Sequence, residues 1–127
     1  MTRYLLDSSF LIDHLRSQHG ATERFQRLME DGDEAVVCDI VVAELWAGWQ
    51  PSNERHIEAL IRYLEYVQPG PPTSRLAGTW RAQARVDGRR LHLDDALIAA
   101  TAYDLGATVL TRNVRDFELT PVRIETY

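Results

Sequence analysis

The alternation of short apolar runs with longer amphipathic segments is the strongest constraint on the fold of this chain. The short runs are typical of buried strands, and the longer segments repeat apolar residues at helical spacing. The predicted strands cover residues 3–6, 35–38, 66–67, 107–110 and 122–124, with helices between them. Strands that alternate with helices in this way favour a layered α/β fold with a mainly parallel sheet.

Several helix boundaries are predicted from residues that cap helices or break the chain. Ser8 or Ser9 can cap the helix after the first strand, and Asp39 can cap the helix that follows the second strand. Asp94 is interpreted as the cap of the last helix, and the proline-rich run 69–72 as a turn. No apolar run is long enough to span a membrane, and no secretory signal is evident.

The size and composition indicate one domain, residues 1–127, and exclude several kinds of chemistry. The formal net charge is −5, and all 14 basic residues are arginine. Without lysine the chain has no P-loop, no Schiff-base nucleophile and no lysine-dependent phosphate-receiver site. The lone Cys38 cannot form an internal disulfide, and we expect a reduced thiol in a cytoplasmic protein.

Four acidic residues that are distant in sequence are the candidate metal ligands: Asp7, Glu44, Asp95 and Asp116. Function in open parallel sheets lies beyond the carboxyl ends of the strands, where Asp7 and the segment after strand 107–110 are expected. Clustered carboxylates repel one another unless a cation neutralises them. Oxygen ligands of this kind suit Mg²⁺ or Mn²⁺.

Each of these acids also has a purely structural interpretation. Asp7 could cap a helix, and Glu44 could face solvent on an amphipathic helix. Asp95 shares a helical face with the small residues Ala99 and Ala102, so it is expected to point inward. Asp116 could simply pair with an arginine of its own loop.

The polar segment 111–117 and a run of arginines complete the set of candidate site residues. Thr111 and Asn113 provide oxygen atoms that could hold a metal ion, its water or a phosphate. Arg81 and Arg85 lie four residues apart on one helical face, within a stretch that also contains Arg75, Arg89 and Arg90. This stretch is either a solvated face or a rim that grips the backbone of a polyanion.

Taken in order, these motifs resemble the PIN-domain ribonucleases, specifically the VapC-type toxins of bacterial toxin–antitoxin pairs. The resemblance rests on the segments 5–9, 43–48, 95–102, 106–108 and 111–117. It implies a three-layer α/β/α domain and a Mg²⁺ or Mn²⁺ site formed by the residues matching Asp7, Glu44, Asp95 and Asp116. Many relatives have aspartate where Asn113 stands, which leaves the fourth acidic position to Asp116.

The resemblance further implies endonucleolytic cleavage of RNA, a homodimer, and a small antitoxin that binds the toxin in a heterotetramer or larger assembly. We expect metal-assisted hydrolysis of the phosphodiester bond, with Thr111 and Asn113 steadying the water or the phosphate. Arg81, Arg85 and Arg112 are expected to position the RNA. The competing interpretations are a structure-specific DNA nuclease and a metal- or partner-binding module without turnover.

Overall fold

The computed structural model describes all 127 residues, which form one five-stranded sheet with helices around it. The strands are β1 (Arg3–Leu6), β2 (Glu34–Cys38), β3 (Glu65–Val67), β4 (Thr108–Leu110) and β5 (Ile124–Glu125). They lie in the order β3-β2-β1-β4-β5, and every neighbouring pair is parallel. The predicted α/β class and the parallel sheet are therefore confirmed.

Six α-helices and one 3₁₀ helix connect the strands. They are α1 (Ser8–Leu15), α2 (Ala21–Glu30), α3 (Asp39–Trp46), α4 (Glu54–Tyr63), α5 (Pro71–Val86), α6 (Leu93–Leu105) and the 3₁₀ helix Val114–Phe117. Consecutive residues of β1 and β4 are buried, so both faces of the sheet are covered by helices. This is the three-layer α/β/α arrangement expected from the resemblance. No helix has both the length and the apolar character needed to cross a bilayer.

The core consists mainly of aliphatic side chains from the central strands and the inner faces of the helices. A large cluster surrounds the sheet, and a smaller one joins α5 to α6. In the smaller cluster Ala77 and Ala84 of α5 lie near Ala96 and Ala100 of α6. These short side chains allow the two helices to pack closely, which sets the position of the first turn of α6.

The structure corrects several predicted helix boundaries. Helix α5 begins at Pro71, inside the predicted turn, because proline needs no hydrogen-bond acceptor in the first turn of a helix. The prediction that Asp39 and Asp94 are caps is wrong, since Cys38 and His92 occupy those positions. The cap position of α1 is Asp7, not Ser8 or Ser9.

The order of the strands creates a crevice between β1 and β4. The chain moves from β1 to β2 on one side of the sheet and later returns to place β4 on the other side of β1. Ligands of open α/β sheets bind at such a switch point, beyond the carboxyl ends of the strands. The backbone N–H of Asp7 donates to the carbonyl of Leu110 at 3.0 Å, which brings the ends of both strands together there.

Candidate metal-binding site at the switch point

The carboxylate of Asp7 lies at the carboxyl end of the central strand and is only 5% exposed. Asp7 is the cap residue of α1, yet its side chain makes no capping hydrogen bond. Its backbone carbonyl accepts the N–H groups of Phe10 and Leu11, which begin the helix. The side chain is therefore not used for capping and remains available to a site.

Two buried hydroxyl groups hold this carboxylate from one side. Ser9 Oγ and Thr111 Oγ1 donate to Asp7 Oδ2 at 2.9 and 2.7 Å, while no side chain donates to Oδ1. The hydroxyls in turn accept the backbone N–H groups of Arg112 at 3.2 Å and Asn113 at 2.9 Å. Thr111 is 0% exposed, and its hydroxyl donates to the Asp7 carboxylate.

The pKa of Asp7 is raised, and burial is the main cause. The hydrogen bonds from Thr111 and Ser9 lower the pKa and offset part of this effect, while the negative charge of Asp116 adds to it. A nearly buried carboxylate with no cationic partner is costly, and a bound cation would relieve that cost.

Glu44 projects from α3 toward the start of α1 and is partly buried. Ser8 Oγ donates to its Oε1 at 3.2 Å. Burial, the neighbouring carboxylate of Asp94 and the charge of Asp7 raise the pKa of Glu44 to about 7. These contacts contradict the alternative in which Glu44 faces solvent on an amphipathic helix.

Both aspartates in the first turn of α6 belong to this acidic environment. The pKa of Asp95 is raised to about 7 by burial and by the charges of Asp94, Asp116 and Asp7. Asp94 Oδ1 accepts the backbone N–H of Asp95 at 2.9 Å, and its carboxylate also acts on Glu44. Asp94 is thus a residue that the sequence analysis missed. The signal was present, since two adjacent acids at a helix start need not both serve the helix.

Asp116 and Asn113 lie in the exposed loop after β4. Asp116 is in the 3₁₀ helix, and its charge raises the pKa of both Asp7 and Asp95. Asn113 precedes that helix, and its side-chain amide makes no hydrogen bond within the protein. The predicted acids therefore influence one another electrostatically. No three acidic, histidine or cysteine side chains converge closely enough to form a ready-made metal cage.

Arg112 forms a structural ion pair with a residue that the sequence analysis did not consider. Its Nη1 donates to Asp13 Oδ1 and Oδ2 at 2.9 and 3.1 Å. Asp13 is 1% exposed and also accepts the Tyr127 hydroxyl at 2.7 Å. The Arg112 side chain is still 45% exposed. These three residues, centred on the buried Asp13, anchor the loop after β4 to α1. The pairing joins distant parts of the chain and is visible only in the folded structure.

Arg81 and Arg85 lie outside the acid cluster, near the end of α5. With Arg89, Arg90 and Leu91 they line a separate pocket. These arginines therefore form a concave surface that contains none of the candidate carboxylates.

A parallel α/β/α sheet with acids at its switch point is the architecture of a PIN domain, and the sequence matches the PIN domain family over residues 4–121. The chain belongs to this family. Among its relatives, ribonuclease VapC19 of Mycobacterium tuberculosis is 32% identical over 117 residues, which is 92% of this chain and 94% of the relative. Ribonuclease VapC2 of Haemophilus influenzae is 28% identical, with 93% and 92% covered.

Solved structures of VapBC proteins share the fold over almost the full length. A VapBC-1 structure from nontypeable Haemophilus influenzae has a TM-score of 0.82 at 26% identity, and covers 98% of each chain. VapBC2 from Rickettsia felis, bound to a promoter DNA fragment, has a TM-score of 0.86 at 20% identity and covers 99% of each chain. The resemblance inferred from the motifs is confirmed.

Proposed function

We propose that this protein is a Mg²⁺-dependent endoribonuclease that acts as the toxin of a toxin–antitoxin pair. The observation that carries the proposal is the nearly buried carboxylate of Asp7 at the switch point, which makes no capping hydrogen bond. It lies within electrostatic reach of Glu44, Asp95 and Asp116. The relatives that match most of the chain are named ribonucleases, which favours RNA over DNA as the substrate.

The donor set suits Mg²⁺ or Mn²⁺, because every candidate ligand is a hard oxygen atom. Asp7 Oδ1 is free of side-chain donors, and the raised pKa values of Glu44 and Asp95 reflect carboxylates that lack positive partners. When bound, the ion would polarise a phosphoryl oxygen and lower the pKa of a water molecule. The acids must move closer together to share one ion, since no three of them converge in the structure.

The remaining residues of the site have positioning roles in this mechanism. Ser9 and Thr111 fix the direction of the Asp7 carboxylate, and Ser8 orients Glu44. Asn113 has a free, exposed amide that can hydrogen-bond a phosphate oxygen or the attacking water. Arg112 keeps the loop against α1 and has enough exposed surface to contact the RNA backbone.

The test is cleavage of RNA by the wild type and by Asp7→Asn, Glu44→Gln and Asp95→Asn. Asp31→Asn is the matched control, because Asp31 is an exposed acid in the turn after α2. We expect cleavage with Mg²⁺ or Mn²⁺, none in EDTA, and a loss of at least a hundredfold in the three site variants but not in the control. Mg²⁺ should also raise the melting temperature of the wild type and not that of Asp7→Asn.

Three results would contradict the proposal. Equal cleavage in EDTA would exclude the metal-dependent mechanism, and preferential cleavage of DNA would favour a DNA nuclease on the same acids. Binding of Mg²⁺ without cleavage of any nucleic acid would favour a non-catalytic binding module.

We further propose a homodimer that is neutralised by a small antitoxin in a heterotetramer or larger assembly in the cytoplasm. The support is that structures named VapBC share the fold, as does a structure described as a toxin–antitoxin complex from Klebsiella pneumoniae. Light scattering of the purified chain tests the dimer. Growth arrest on induction, relieved by co-expression of a neighbouring small gene, tests the antitoxin. A monomer in the first experiment, or normal growth in the second, would contradict the respective part of the proposal.

A further inference from the structure

We propose that Arg81, Arg85, Arg89 and Arg90 form a pocket that binds the phosphate backbone of the RNA substrate beside the acid cluster. This inference rests on the proposed ribonuclease function and extends it, because it assigns part of the substrate to a surface that is separate from the carboxylates. We name this surface the arginine pocket.

The arginine pocket has a volume of about 270 Å³ and is lined by only the four arginines and Leu91. No acidic residue lines it, and the salt bridges of the protein involve other arginines. Arg81 Nε donates to the carbonyl of Leu91 at 3.0 Å, which fixes one guanidinium group in the pocket wall. The other three side chains make no hydrogen bond within the protein and are free to bind a ligand.

The positive charge of this pocket favours the binding of an anion. Four guanidinium groups line this one pocket and repel one another, and a bound anion would relieve that repulsion. The chain as a whole carries a formal charge of −5, so this positive surface is a local exception. Guanidinium groups match phosphate oxygens with paired hydrogen bonds, and a chain of phosphates can engage several of them at once.

The arginine pocket lies close to the acids of α6. Helix α6 leads into β4, so its first turn is at the carboxyl edge of the sheet, as is the end of α5 packed beside it. Leu91 precedes Asp94 by three residues, which span at most about 11 Å of chain. The acid cluster repels a phosphate backbone, and attachment to the arginine pocket offsets that repulsion where the RNA approaches the site.

The first experiment measures binding of a fluorescent single-stranded RNA in EDTA, where no cleavage is expected. The test variant is Arg89→Ala/Arg90→Ala, since both side chains are exposed and have no structural partner. The control is Arg55→Ala/Arg62→Ala, which removes the same charge from two exposed positions of α4, outside the pocket and outside the arginine stretch. Circular dichroism would verify that both variants are folded.

We expect the pocket variant to bind RNA about tenfold more weakly. The slope of the logarithm of the binding constant against the logarithm of the salt concentration should become shallower by about 1.4. This corresponds to two lost phosphate contacts on a single strand. The control should change little. Equal weakening in both variants would show an effect of overall charge and overturn the proposal, as would unchanged binding in the pocket variant. Tighter binding of inorganic phosphate than of RNA would also overturn it, because it would indicate a site for a free anion.

Cleavage assays separate this proposal from the proposed function. With Mg²⁺ the pocket variant should show a KM about tenfold higher and a nearly unchanged kcat on a long RNA, but no change on a dinucleotide too short to reach the pocket. If the wild type binds RNA through the pocket and cleaves none, the pocket stands and the nuclease proposal fails. If the pocket variant cleaves long RNA with unchanged KM, the pocket proposal fails alone.

Discussion

Replacement of Glu44 by glutamine should stabilise the fold at alkaline pH when no divalent cation is present. Burial and the Asp94 carboxylate raise the pKa of Glu44 from 4.5 to about 7, so the folded state binds a proton more tightly than the unfolded state. The corresponding stabilisation is fully present below about pH 4.5 and is lost as the pH rises through about 7. Glutamine keeps the shape of the side chain and the oxygen atom that accepts the hydrogen bond from Ser8, but it does not ionise and stays neutral at all pH values of the assay.

The expected size of this effect follows from the two pKa values. At about 1.4 kcal/mol per pKa unit, the ionisation of Glu44 in the folded state costs at most about 3.5 kcal/mol. Glu44 is partly exposed, and solvent screening reduces the expected gain to about 1 kcal/mol. For a domain of this size, that gain corresponds to an increase of about 4 °C in the melting temperature.

The assay is urea denaturation in EDTA at about pH 4 and about pH 8.5. The free energy of unfolding of Glu44→Gln should exceed that of the wild type by about 1 kcal/mol at the higher pH and equal it at the lower pH. Glu58→Gln, at an exposed position of α4, is the control and should match the wild type at both. A destabilised Glu44→Gln at the higher pH, or the same gain at both, would refute the electrostatic account of the site.

Three further predictions concern the packing around the site. Thr111→Val should lower the free energy of unfolding by about 2 kcal/mol in urea denaturation, because Asp7 loses a buried donor, and Thr111→Ser should recover most of it. Arg112→Ala should lower the free energy of unfolding by about 2 kcal/mol, because the buried Asp13 loses its cation while solvent screens the partly exposed guanidinium. Adding Asp13→Asn should restore part of that loss, and equal stability of the single and double variants would contradict the ion-pair account. Cys38 is buried and its thiol pKa is raised, so a thiol reagent should label it only in denaturant, and rapid labelling of the native protein would contradict this packing.

The sequence predicted the parts of the site that depend on local pattern. Alternating strand and helix signals gave the parallel sheet, and the rule that strand ends meet at one edge brought Asp7 and Thr111 into the same region. The inward direction of Asp95 followed from the small residues on its face, Ala99 and Ala102, which are both fully buried. These inferences needed only the period of each element and the direction of the strands.

Other features depend on how distant elements pack and could not be read from the sequence. Asp94 raises the pKa of Glu44 because the first turn of α6 lies near α3. Its assignment to the helix cap was wrong because His92 occupies that position. The pairing of Arg112 with Asp13 joins residues at opposite ends of the chain. The start of α5 was misplaced because a run of prolines fits the first turn of a helix as well as it fits a turn.

The trio of Asp13, Arg112 and Tyr127 gives the two sides of the acid cluster different freedom to adjust. The loop after β4 is fixed in the folded protein, because moving it would leave the buried Asp13 carboxylate without its partners. On the helix side, Glu44 is held by a single 3.2 Å bond from a serine hydroxyl. If a metal ion binds, the loop after β4 would keep its position. The side chains of α3 and of the start of α6 would make the movements that binding requires.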